Sequence, residues 1–75
     1  MTINDYADAI SDALNADLRP GEPAWSVVRH RHLPTVLLIE QRIDPPHLFS
    51  VPFRRGCPSA QTVADTILTR TAARR

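Results

Sequence analysis

The apolar positions of the first eighteen residues repeat with the period of a helix. Ile3, Tyr6, Ala7, Ile10, Ala13 and Leu14 fall at i, i+3, i+4 and i+7 spacing, so a helix over 2–18 gathers them on one buried face. Thr2 is placed to cap it. Asp5, three residues later, completes a capping-box spacing and suits the positive end of the helix dipole. Pro20-Gly21 ends the helix and Gly21-Glu22-Pro23 reads as a loop. The opposite face carries Asp8, Ser11, Asp12 and Asn15. Asp8 and Asp12 are like charges one turn apart, mildly destabilising unless a cation faces them.

Past the loop the period shortens to two. A strand over 24–30 puts Trp25 and Val27 on one side and Val28 on the other. A turn falls near His32-Leu33-Pro34. A second strand over 35–43 separates Leu37, Ile39 and Ile43 from Val36, Leu38, Glu40 and Arg42. Asp44-Pro45-Pro46 is a turn signal. A third strand over 47–53 aligns Phe49, Val51 and Phe53, and Pro52, which cannot donate to a ladder, places it at a sheet edge. Arg54-Arg55-Gly56 connects to a second helix opened by Pro58 or Ser59. Its apolar stripe is Ala60, Val63, Ala64, Ile67, Leu68 and Ala72. Arg70, Arg74 and Arg75 lie toward its end, where cations suit the dipole. The tail 73–75 is expected to fray.

The order helix, strand, strand, strand, helix predicts an α+β chain of one small domain over residues 1–75. The expected architecture is a two-layer sandwich, a three-stranded antiparallel meander with both helices on one face. Its inner face holds Trp25, Val27, Leu37, Ile39, Phe49, Val51 and Phe53. The outer face is unusual, because Val28, Val36, Leu38 and Leu48 all fall on it, whereas a sheet face in water alternates toward polar residues. Left uncovered, they form an apolar patch of the kind that marks an interaction surface. Three arrangements would cover it: helices straddling the sheet, a second copy packed sheet to sheet, or a different protein.

Length narrows the field. Seventy-five residues make one domain that buries only about 60% of its unfolded surface. The longest apolar run, Val36 to Ile39, is far short of a membrane span. The acidic start Met1-Thr2-Ile3-Asn4-Asp5 argues against a secretory or transit peptide. One cysteine forms no internal disulfide, and a cytoplasmic protein is expected. All nine cations are arginine, the mark of a GC-rich coding sequence of the kind found in actinobacteria and their phages. The net charge of +1 hides a gradient: five carboxylates face only Arg19 over residues 1–22, and five arginines face only Asp65 over 45–75. The two ends either neutralise each other's field or recognise different partners.

Candidate chemistry is sparse. Arg29-His30-Arg31-His32 is either a solvated turn or a phosphate-contacting finger. Cys57 lies beside Arg54 and Arg55, a setting that would suit a cysteine nucleophile. However, Cys57-Pro58-Ser59-Ala60 lacks a second cysteine, and Val63 stands where a phosphatase-type loop needs arginine. His30 and His32, with His47 or Asp44, are too few and too basic a set for zinc, so neither metal nor cofactor is expected. Gly21 and Gly56 alone make no phosphate loop.

The element order, the size, and Pro45-Pro46-His47 followed by Phe49 resemble the double-stranded-RNA-binding domain. In that family the Pro-His signature lies between the first two strands, whereas here it follows the second. The family's lysine cluster opening the last helix is replaced by Pro58-Ser59-Ala60-Gln61. The resemblance is one of topology, and it implies a nucleic-acid-binding module using Arg29, Arg31, Arg54 and Arg55. The residues themselves point first to a non-enzymatic protein-binding or regulatory module, such as a phage or mobile-element accessory factor. It would act on a host protein or as a homodimer. Val28, Val36, Leu38 and Leu48 anchor its outer sheet face, and Glu40 and Arg42 supply a polar rim. An enzyme is the least expected class, because few polar groups can converge in so small a fold.

Overall fold

A computed structural model describes residues 1–16, 18 and 20–72. Helix α1 runs Ile3–Asn15, strands β1, β2 and β3 run Trp25–Arg29, Val36–Gln41 and His47–Pro52, and helix α2 runs Ala60–Ala72. The element order and the α+β class are those expected from the alternating periods. The expected frayed tail 73–75 lies outside the described residues.

Helix α1 starts where the capping box places it. The Thr2 hydroxyl accepts from the Asp5 amide at 3.1 Å, and the Asp5 carboxylate accepts from the Thr2 amide at 3.0 Å. The bond from the Thr2 amide first, and the nearby Thr2 hydroxyl second, hold the Asp5 carboxyl below its ordinary pKa. The helix stops at Asn15, three residues before the predicted end, because Asn15 turns its amide onto β1. Its Oδ1 accepts from the Trp25 amide at 2.8 Å and its Nδ2 donates to the Trp25 carbonyl at 3.2 Å. Helix α2 opens on Ser59, whose Oγ accepts from the Thr62 amide at 3.2 Å.

The sheet is a meander in the order β1-β2-β3, antiparallel throughout. Rows cross it as Arg29–Leu37–Val51, Val27–Ile39–Phe49 and Trp25–Gln41–His47 on the inner face. Both helices pack on that face. Tyr6, Ile10 and Leu14 of α1 and Val63, Ala64 and Ile67 of α2 bury against Trp25, Leu37 and Ile39, with Phe49, Val51 and Phe53 half-buried around them. The Tyr6 and Phe53 rings lie 5.3 Å apart. The helices therefore do not straddle the sheet. In the connector to α2, the Cys57 amide donates to the Arg54 carbonyl and Gly56 takes φ of 83°. That geometry, with glycine at the third position of the turn, is the one that a side chain resists.

Candidate functional site

The even-numbered rows of β2 build the outer face. Val28, Leu38 and Ser50 stand in one row, and Ser26, Glu40 and Leu48 in the next. Leu38 is central. Val28, Leu38 and Leu48 keep 55%, 37% and 64% of their surface exposed. Together with Ser26, Glu40 and Ser50 they line a shallow depression of about 470 Å³. Val36, expected beside them, is half-buried at the sheet end, paired with Pro52. The polar rim is an ion pair: Arg42 Nε donates to Glu40 Oε1 at 2.9 Å. Such an exposed pair contributes about 0.2–1 kcal/mol, so it stabilises little and remains free to exchange partners.

The arginines expected to contact phosphate divide between two connectors. Arg29 ends β1 and Arg31 lies in the β1–β2 connector, and Arg54 and Arg55 follow β3. Register brings both segments to one sheet end, because the Thr35 carbonyl accepts from the Phe53 amide at 2.7 Å. All four are exposed. Within the turn, however, His30 is structural. Its Nδ1 accepts from the amides of His32 and Leu33 at 3.0 and 3.1 Å, and Arg29 donates to the Pro34 carbonyl at 3.3 Å.

His47 does not join His30 and His32. It lies buried at the opposite sheet end, stacked on Trp25 with ring centres 6.1 Å apart. Among the described residues, no group of three His, Cys, Asp or Glu side chains converges as metal ligands would. Cys57 is half-buried against the core. It neighbours Tyr6, whose hydroxyl donates to the Pro58 carbonyl. Burial first, and the Cys57 contact second, push the Tyr6 phenol up to about 12.

Two features escaped the sequence reading. One is a polar clamp at the Trp25 end of the core. Buried Gln41 donates from Nε2 to the Pro23 carbonyl at 3.1 Å, and its Oε1 lies 3.2 Å from His47 Nδ1, an arrangement that requires the proton on Nδ1. The signal was the inner-face parity of Gln41, a polar residue where alternation demands an apolar one. The other is a groove of about 330 Å³ between β3 and α2, lined at its ends by Arg54 and Arg70. Only register and helix placement bring those two cations to one groove.

Compared with protein-family models, with curated proteins and with solved structures, the chain matches none of them. Among the described residues no helix is long and apolar enough to cross a membrane.

Proposed function

We propose that the chain is a small non-enzymatic protein-binding module that works by reversible self-association, outer sheet face to outer sheet face. One observation carries this reading: Val28, Leu38 and Leu48 form an exposed apolar surface spanning three strands, with both helices on the other side. The adjoining Glu40–Arg42 pair is self-complementary. Across a twofold axis, the carboxylate of one copy meets the guanidinium of the other.

The footprint sets the affinity. Three strands about 4.8 Å apart, each of about six residues rising roughly 3.3 Å, present roughly 300 Å² per copy. A standard interface buries about 800 Å² per partner, so the dimer is a weak one, with Kd between about 1 μM and 1 mM. Sedimentation velocity over that range is expected to show the wild type growing toward a dimer. Leu38→Asp and Leu48→Asp, both exposed positions, stay folded and monomeric. A wild type that remains a monomer near 1 mM, or variants that associate equally well, would overturn the reading.

A second reading is favoured by the arginine placement. Arg31, Arg54 and Arg55 stand exposed at one end of the sheet with Arg29, a gathering of positive charge of the kind that binds a nucleic-acid backbone. Duplex binding that falls steeply with salt and is lost in Arg54→Glu/Arg55→Glu would favour it over self-association.

A further inference from the structure

β1 and β3 are both edge strands, yet their edges differ. In an antiparallel ladder alternate residues turn their N–H and C=O toward the neighbouring strand. The Phe53–Thr35 bond assigns the odd-numbered residues of β3 to β2, so Leu48 and Ser50 aim both backbone groups outward. On β1 the bond from the His30 amide to the Val36 carbonyl makes Trp25, Val27 and Arg29 the outward residues. Asn15 occupies both groups of Trp25 and so blocks that end of the β1 edge. Among the described residues, no side chain does the same for Leu48 or Ser50.

The groove runs along this open edge. Phe49 and Val51 of β3 and Val63 and Ile67 of α2 give it an apolar lining, and Thr62 and Thr66 add hydroxyls. Arg54 stands at the end where β3 leads into α2, and Arg70 at the other. Neither has an ion-pair partner among the described residues. The single carboxylate of α2, Asp65, accepts from Gln61 Nε2 and does not line the groove.

We infer that this groove takes an extended acidic segment of a partner protein, added to β3 as a fourth strand. The backbone groups of Leu48 and Ser50 supply the ladder bonds, and Arg54 and Arg70 supply the charge that selects the segment. A second copy of β3 fits poorly, because it would bring two sets of uncompensated arginines together. The surface is distinct from the outer face, and the inference does not rest on self-association. The length of the groove along α2, with a cation at each end, sets a pattern. Thr62 to Arg70 spans about 12 Å of helix at roughly 1.5 Å per residue, the length of about four residues of strand. Four is even, so acidic residues at positions one and five of the segment face the same way, toward the two arginines. The residue at position three then meets the apolar lining.

The test uses the full chain and a fluorescein-labelled heptapeptide. It carries aspartate at its second and sixth positions, valine at the fourth and threonine or serine between. Fluorescence anisotropy is expected to show saturable binding. A peptide with lysines for the aspartates binds at least about tenfold more weakly, and Arg70→Glu weakens the acidic peptide about three- to tenfold. Arg70→Gln gives a smaller loss, which separates charge from fold. The amides of Leu48 and Ser50 gain protection from hydrogen exchange on binding. Leu38→Asp, which removes the outer-face association, leaves peptide binding unchanged. No saturable binding at millimolar peptide, equal binding of the lysine peptide, or protection confined to Val28 and Leu38 would overturn the inference.

Discussion

Leu37 and Leu38 are neighbours on β2 with the same side chain and opposite surroundings. Leu37 is fully buried between sheet and helices, whereas Leu38 faces outward. Truncation to alanine therefore has two different costs. At Leu37 it forfeits the transfer free energy of the whole side chain and leaves a cavity that close-packed neighbours cannot fill, about 3–5 kcal/mol. At Leu38 roughly a third of the side chain is already in water and the rest touches only same-face neighbours. No enclosed cavity forms, and the cost is about 1 kcal/mol. A chain of this length is worth about 4–11 kcal/mol in total, so Leu37→Ala removes a large share of its stability and Leu38→Ala a small one. Urea unfolding followed by the fluorescence of Trp25, the single tryptophan, reads both. Measurements well below about 1 μM protein, under the lowest Kd proposed for the dimer, keep the chain monomeric, and unchanged m-values certify the comparison. Equal costs at the two positions would refute the reasoning, because Leu38 would then have to be covered within one copy.

Two further outcomes follow from the polar groups. Gln41→Leu strands the Pro23 carbonyl and His47 Nδ1 inside the core, and is expected to cost about 1–3 kcal/mol in the same assay, although leucine is the more apolar residue. The Tyr6 phenol has its pKa raised in the folded state to about 12 from the usual value near 10. Its contribution is present below pH 10 and is lost as the pH rises toward 12. Tyr6→Phe is expected to flatten that alkaline loss while lowering neutral-pH stability by about 0.5–1.5 kcal/mol, measured as the urea midpoint against pH.

Much of this architecture was legible in the chain. The change from helical to two-residue period located all five elements, and Thr2-Asp5 fixed the start of α1. Pro52 identified β3 as an edge. The parity of Val28, Leu38 and Leu48 separated the outer face from the core. What the pattern hid depends on side chains meeting across elements. The helix ends early because Asn15 finds the Trp25 backbone, a contact that no local propensity encodes. His47 is buried because Gln41 and Trp25 receive it, whereas its sequence neighbours Asp44 and Pro46 read as a solvent turn. Val36 lost exposure through its pairing with Pro52, which only the register reveals. The Arg54–Arg70 groove joins residues sixteen positions apart whose relation depends on the direction in which α2 runs back along β3.

Self-association, as proposed, leaves the outer face bare in one copy and covers it with another. A sample mixing isotope-labelled and unlabelled chains, concentrated near 1 mM, tests this through magnetisation transfer between copies. Cross-copy contacts from the methyls of Val28, Leu38 and Leu48, and none from the buried methyls of Leu37 and Ile39, are the result expected. Cross-copy contacts arising from α1 or α2, or an absence of any at that concentration, would contradict it.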